Sequence, residues 1–139
     1  MRVVLDTNVL VAALRNRDGA SFRIVQLAEQ RLFKPVVSVP LMIEYEEVLR
    51  RPGMVPELNA QDVDTFLDFF AALAVAQPIY FSWRPMLSDA DDEMVAEVAA
   101  ASEADYLVTH NVRDFAAAAS VFDFKTVTPR DFLTVLAVR

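Results

Sequence analysis

The sequence predicts one α/β domain with a mainly parallel central sheet, covering residues 1–139. Short β-branched runs alternate with amphipathic segments along the whole chain, which is the pattern of βαβ units. Hydrophobic residues make up 55% of the 139 residues, enough to build a sizeable core. The chain shows no internal repeat, low-complexity linker or boundary that would divide it.

The first strand is predicted at residues 3–5, a short apolar run that stops at Asp6. Asn8 is expected to cap a helix whose apolar side continues to Leu14. After an Asp-Gly turn signal, Ser21 is expected to open a second helical segment. The first strand should therefore return through helices to the second.

A second strand is predicted at residues 35–38 and is followed by a helix. Ser38 is a suitable N-cap, and Pro40 lies in the first turn, where its missing N–H does little harm. This helix should end before Pro52. Residues 60–76 follow a 3.6-residue apolar period, which predicts a long amphipathic helix.

The remaining elements continue the alternation. Residues 78–81 are a possible third strand, and the acidic cluster at 89–93 is expected to open a helix. The C-terminal part should contain a strand at 106–109, a loop and helix at 111–119, a strand at 125–127 and a helix at 129–138.

Composition excludes several classes of site. The chain has no Cys, which excludes disulfides, thiolate zinc sites and cysteine nucleophiles. His110 is the only histidine, and Gly19 and Gly53 form no phosphate-binding glycine loop. The formal charge of −7 argues against a protein that simply coats nucleic acid. It is compatible with acids that meet phosphate through a divalent cation.

Nothing in the sequence predicts a membrane protein. Asp6 interrupts the N-terminal apolar run too early for a signal peptide, and the apolar run at 69–76 is too short to span a bilayer. We expect a soluble, cytoplasmic protein.

Four acids are expected at one edge of the sheet: Asp6, Glu44, Asp92 and Asp114. Ligands of parallel sheets bind beyond the carboxyl ends of the strands, which these acids follow or approach. Clustered carboxylates repel one another and need protons or cations. Because no Cys and only one His are present, the ligands are oxygen atoms, which favour Mg²⁺ or Mn²⁺ and phosphodiester hydrolysis.

Each acid also has a structural interpretation. Asp6 can cap the following helix, Glu44 can belong to a solvated helix face, and Asp114 can cap a helix before Phe115. Asp89, Asp91 and Asp92 can simply complement a helix dipole. Asp6 is the hardest to explain in this way, because it directly follows a buried strand.

The ordered motifs resemble those of PIN domains. The segment at 6–10, Asp-Thr-Asn-Val-Leu, is similar to the family's opening motif, and the segment at 44–49 is similar to its helix motif with a glutamate. The segments at 89–95, 104–115 and 128–133 resemble its acidic block, its strand with the Asn-x-x-Asp-Phe turn, and its C-terminal end. Five matches in order extend from the first strand to the last helix.

The resemblance implies a PIN-like three-layer α/β/α sandwich, Mg²⁺ or Mn²⁺, and endonucleolytic cleavage of RNA. It is strongest to the branch of VapC-like toxins of toxin–antitoxin pairs, which implies an antitoxin protein as partner and a homodimer. Carried over by position, Asp6, Asp92 and Asp114 would bind metal, and Glu44 would hold metal or activate water. Three further residues would orient carboxylates or waters: Thr7, Thr109 and Asn111.

Two departures leave alternatives open. Ala90 stands where the family often has proline, so Asp89 or Asp91 can share the role given to Asp92. The fourth ligand position can be Asn111 or Asp114. His110 lies beside this block and, as a loop histidine without a catalytic partner, is interpreted as incidental.

There are three alternative functions. A haloacid-dehalogenase-type phosphatase would need a second Asp two residues after Asp6, where Asn8 stands. A phosphorylatable receiver domain would need an acceptor carboxylate after the third strand, and the segment at 81–83 supplies none. A catalytically inert PIN-like module that binds RNA or a protein is the main alternative.

Overall fold

The computed structural model describes residues 1–79 and 90–137, and side chains at all of these positions except Ala90. Its strands are β1 (Arg2–Leu5), β2 (Lys34–Val37), β3 (Val75–Ala76), β4 (Tyr106–Val108) and β5 (Lys125–Val127). Its α-helices are α1 (Thr7–Arg15), α2 (Ala20–Glu29), α3 (Val39–Leu49), α4 (Ala60–Leu73), α5 (Ala90–Ala101), α6 (Ala116–Phe122) and α7 (Pro129–Ala137). A short 3₁₀ helix at Val112–Phe115 precedes α6.

The five strands form one sheet in the order β3-β2-β1-β4-β5, and every pairing is parallel. Helices flank this sheet, with α5 packed against β1, β2 and β4. The predicted α/β class with a parallel sheet is confirmed. The chain leaves β1 in one direction, towards β2 and β3, and later returns to its other side with β4. The carboxyl ends of β1 and β4 therefore form a topological switch point, where ligands of such sheets bind.

The central strand β1 is buried on both sides, and Val3, Val4 and Leu5 are each 0% exposed. A strand covered by helices on both faces must be apolar along its length, which explains the uninterrupted apolar run. At the other end of the chain, the Phe132 ring of α7 packs edge-on against Phe33, with ring centroids 5.2 Å apart. The residues of the first strand and Phe132 of the last helix belong to one hydrophobic core.

The third strand lies earlier than predicted. It is formed by Val75–Ala76, because α4 ends at Leu73, whereas the sequence pattern predicted helix to residue 76 and strand at 78–81. Gln77 N still donates to Val37 O at 2.7 Å, but Pro78 has no N–H to continue the pairing. Residues 80 and 81 lie outside the described residues.

Two predicted caps and one predicted helix start differ from the structure. Asp6, and not Asn8, is the N-cap of α1, and its side chain accepts from Thr7 N. Gly19 precedes α2, so that helix begins one residue before Ser21. Asp114 lies inside the 3₁₀ helix and does not cap α6. The Ser38 cap of α3 is confirmed by a 3.1 Å bond from Leu41 N to its hydroxyl.

Among residues 1–79 and 90–137, no helix has the length and apolar character needed to cross a membrane.

Candidate functional site

The candidate site lies at the switch point between β1 and β4. Asp6 follows β1 directly, and Thr109 follows β4. Asp6 N donates to Val108 O at 2.9 Å, and Thr109 N donates to Val127 O at 2.9 Å, so the sheet pairing extends one residue beyond each strand. This backbone register places the side chains of Asp6 and Thr109 beside each other although 103 residues separate them.

Asp6 is 6% exposed and is held by three donors. Its Oδ1 accepts from Thr7 N at 2.8 Å. Its Oδ2 accepts from Thr109 Oγ1 at 2.7 Å and from Asn8 Nδ2 at 3.2 Å. These bonds fix the orientation of a carboxylate that the surrounding core has removed from water.

Asn8 connects the start of α1 to the loop after β4. Its Oδ1 accepts from His110 N at 3.3 Å, and its Nδ2 also lies 3.4 Å from Thr109 Oγ1. Asn111 N donates to the same Thr109 hydroxyl at 3.0 Å. The sequence pattern predicted Asn8 as a helix cap and did not predict this bridge. Its place within the Asp-Thr-Asn motif was the available signal.

Glu44 reaches the same site from α3. It is 7% exposed, whereas its neighbours Glu46 and Glu47 are exposed, so the interpretation of Glu44 as part of a solvated face is wrong. Thr7 Oγ1 donates to Glu44 Oε2 at 2.8 Å. Thr7 therefore contacts both acids, Asp6 through its backbone N–H and Glu44 through its hydroxyl.

Burial makes both carboxylates harder to ionise. The pKa of Asp6 is raised above its ordinary value, mainly by desolvation and also by the charge of Asp114, against lowering effects from Thr109, Thr7 and His110. The pKa of Glu44 is likewise raised by burial first, and the charges of Asp91 and Asp6 raise it further. A nearby cation would relieve both effects.

Two of the outer acids act electrostatically on this buried pair. Asp114 is exposed, and its charge acts on Asp6. Asp91 is exposed and acts on Glu44, while Asp92 is half-buried in the first turn of α5. Asp89 lies outside the described residues. The structure thus links Asp6 and Glu44 through Thr7 and places Asp114 within electrostatic range of Asp6, and Asp91 within range of Glu44.

The donor set fits a divalent cation that keeps most of its ligands outside the protein. In the described part of the chain, no three His, Asp or Glu side chains are grouped closely enough to enclose a metal. Mg²⁺ does not need such a cage, since proteins commonly bind it through one or two carboxylates plus water and substrate phosphate. The carboxylates of Asp6 and Glu44 supply that minimal oxygen set. Burial raises the pKa of both groups.

Tyr45 is a second residue that the sequence analysis missed. It is completely buried beside Glu44, and its hydroxyl donates to the carbonyl of Leu5, the residue before Asp6. No local sequence signal identifies this contact, because Tyr45 also satisfies the apolar pattern of α3.

Comparisons with known proteins agree with this fold. A family model described as "PIN domain" matches residues 2–113. The fold is similar to VapBC2 from Rickettsia felis, solved bound to a DNA fragment from its promoter, with TM-score 0.60, 18% identity, and coverage of 92% of this chain and 98% of that one. It is also similar to VapBC-1 from nontypeable Haemophilus influenzae, with TM-score 0.61, 20% identity, and coverage of 94% and 99%. A sequence search of curated proteins found no significant match.

Proposed function

The chain belongs to the PIN-domain family, and from this premise we propose that it is a single PIN domain acting as a metal-dependent endoribonuclease, the toxin of a toxin–antitoxin pair. PIN domains are typically nucleases that bind divalent metals. The observation that carries the proposal is the pair of buried carboxylates, Asp6 and Glu44, joined through Thr7 at the switch point of the sheet.

In the proposed reaction, Asp6, Asp92 and Asp114 would hold Mg²⁺ or Mn²⁺, with Asn111 as the alternative to Asp114. Glu44 would hold the metal with Asp6 or activate the attacking water. When bound, the cation supplies charge stabilisation at the scissile phosphate and favours ionisation of the attacking water. Thr7, Thr109 and Asn8 keep the two carboxylates oriented, so that little reorganisation is needed when RNA binds.

Glu44 is suited to accept the proton of the attacking water. Its Oε2 accepts from the Thr7 hydroxyl, which leaves Oε1 as the oxygen that would take the proton. A bond forms between the water oxygen and phosphorus, the proton passes to Glu44, and one phosphorus–ester oxygen bond breaks. The departing oxygen takes a proton from solvent.

The direct test is cleavage of a mixed-sequence RNA by the purified protein. We expect cleavage with Mn²⁺, none with EDTA, and none from Asp6→Asn in Mn²⁺. Asp105→Asn is the matched control, because Asp105 is an exposed acid at the opposite end of the sheet. RNA that stays intact while the protein binds Mn²⁺ would contradict ribonuclease activity but not metal binding.

An inert PIN-like module that binds RNA or protein is the second candidate. The observation that favours it is that Asp6 and Glu44 already accept hydrogen bonds from Thr7 and Thr109 within the protein. This candidate predicts RNA binding that is insensitive to EDTA and to Asp6→Asn.

The proposed partner is an antitoxin protein, because the similar VapBC structures are toxin–antitoxin complexes. We propose that this partner covers the site. A carboxylate cluster deprived of its cation would accept a basic side chain from such a partner. A homodimer in the cytoplasm completes the proposal. Production of the wild-type chain in a bacterial host should arrest growth, whereas Asp6→Asn should not.

A further inference from the structure

Tyr45 makes a contact that the core does not require. Its ring is fully buried and packs edge-on against Phe70 of α4, with centroids 5.9 Å apart at 80°. A phenylalanine would fill the same space. The hydroxyl adds one directed bond, to the carbonyl of Leu5. Its effect therefore concerns where α3 lies relative to β1 more than how much apolar surface is buried.

The carbonyl of Leu5 is available to α3 because the pairing of β1 with β2 ends before Leu5. The β1–β2 register ends at Val3 and Pro35, two residues before Leu5. On the other side of β1, the pairing with β4 continues through Leu5 and Val108. The hydroxyl of Tyr45 therefore takes the place of a strand partner at the end of β1, where a buried carbonyl would otherwise lack one.

Two bonds tie α3 to the chain on either side of Asp6. Tyr45 binds Leu5, the residue before Asp6, and Glu44 binds Thr7, the residue after it. Because Glu44 and Tyr45 are consecutive, these two bonds leave α3 little freedom to slide or rotate against the β1–α1 junction. The separation of the two buried carboxylates depends on that placement.

We propose that Tyr45 is a positioning residue that holds Glu44 beside Asp6 through its hydroxyl bond to Leu5 O, and that it thereby sets the affinity of the site for a divalent cation. The inference rests on the proposed function, because it takes Asp6 and Glu44 as the cation-binding pair. Tyr45 itself touches neither substrate nor metal.

The test compares the Mn²⁺ affinity of wild type and Tyr45→Phe, measured from the electron paramagnetic resonance signal of free Mn²⁺. Loss of a residue that orients metal ligands typically lowers affinity by about 10- to 100-fold, and we expect at least about tenfold here. Ser38→Ala is the control, since it removes the N-cap of the same helix without touching Leu5. It should lower the midpoint of urea unfolding and leave Mn²⁺ affinity within about twofold.

A double-mutant cycle separates positioning from general loosening. If Tyr45 acts through Glu44, Tyr45→Phe should have little effect on Mn²⁺ affinity in a Glu44→Gln background. Equal effects in both backgrounds would overturn the proposal, as would Mn²⁺ affinity that Tyr45→Phe leaves unchanged.

Phe70→Leu provides a second variant should Tyr45→Phe not fold, because it removes the ring that packs against Tyr45 while keeping the hydroxyl. Because the hydroxyl bond to Leu5 O remains, Mn²⁺ affinity should stay within about twofold of wild type, and a loss of about tenfold would overturn the proposal by assigning the effect to ring packing. Wild-type protein that binds no Mn²⁺ would overturn this inference and the proposed function together. Mn²⁺ binding that depends on Tyr45, without RNA cleavage, would support the inference and contradict the nuclease activity alone.

Discussion

Each end of the parallel sheet carries an aspartate that accepts a hydrogen bond from a backbone N–H, but the two side chains differ in burial. At the amino end, Asp105 is exposed, and its Oδ2 accepts from Arg2 N at 2.9 Å. At the carboxyl end, Asp6 accepts from a backbone N–H in the same manner but is 6% exposed, and burial raises its pKa. Both acids tie the chain together, but only Asp6 does so at a cost in solvation.

Helix capping alone does not explain why the buried residue at this position is an acid. Asp6 caps α1 through Oδ1, a bond that a serine or asparagine would also provide without a buried charge. The negative charge of Asp6 is useful at this position only if a cation or a basic side chain binds beside it. Asp105 is therefore a structural acid, and the proposed role of Asp6 follows from its burial beside Glu44.

The largest effect on RNA cleavage is expected for the buried acid of α3, in comparison with an exposed acid of the same helix. Glu44→Gln should lower the rate of RNA cleavage by about 10²- to 10⁴-fold, because it removes the proposed proton acceptor. Glu47→Gln changes an exposed acid on the same helix and should leave the rate within about twofold. Single-turnover kinetics with saturating Mn²⁺ measures both. Similar losses in the two variants would mean that the wrong face of α3 has been assigned.

Substitutions of the acids at the start of α5 test which of them belongs to the site. We expect Asp92→Asn to lower cleavage by at least about 100-fold as a loss of a metal ligand, and Asp91→Asn by about tenfold. The charge of Asp91 acts on Glu44, which supports a shared role. Steady-state rates at several Mn²⁺ concentrations distinguish them. A larger loss at Asp91 would transfer the ligand role from Asp92 to Asp91.

Two threonines form a further pair for comparison: Thr109, which follows β4, and Thr126, which lies in β5. Thr109→Val removes the hydroxyl that donates to Asp6 Oδ2 and should reduce cleavage by about 10- to 100-fold. Thr126 lies on β5, and its buried hydroxyl has no hydrogen-bond partner among the described residues, so Thr126→Val should leave cleavage unchanged and preserve or raise stability. Equal activity in the two variants would remove Thr109 from the site.

The sequence predicted the fold well where the signals are local. The last strand, Lys125–Val127, and the Ser38 cap of α3 follow from short runs and single side chains, and both are confirmed. The third strand was misplaced because the apolar pattern of α4 continues through Val75 and Ala76, although the helix ends at Leu73. Local periodicity does not show where a helix must end so that a strand can pair.

The site was predictable in its residue types but not in its contacts. The family motifs selected Asp6, Thr7, Glu44 and Thr109, whose side chains or backbone the structure brings together. The bond from Tyr45 to Leu5 was not predictable, because 40 residues separate them and a buried tyrosine satisfies the same apolar pattern as phenylalanine. Such contacts depend on how α3 packs against β1.

A smaller effect is expected in the pH dependence of stability without metal. Because burial raises the folded-state pKa of Asp6 above its ordinary value of 3.8, the folded protein binds this proton more tightly than the unfolded chain does. This contribution to stability is complete below 3.8 and is lost as pH rises through the raised value. Urea unfolding of wild type and Asp6→Asn in EDTA should show the variant gaining stability relative to wild type over that window. A constant difference at all pH values would contradict the raised pKa.

The most direct test of the central claim, that the carboxyl end of the sheet holds buried charge for a cation, is the effect of Mn²⁺ on thermal unfolding at neutral pH. Binding to the folded state alone stabilises by about 2.7 kcal/mol when the free ion is at 100 times its dissociation constant. Wild type and Asp105→Asn should gain stability with Mn²⁺, and Asp6→Asn should gain little. A wild-type protein that Mn²⁺ does not stabilise, or an equal gain in Asp6→Asn, would contradict the account.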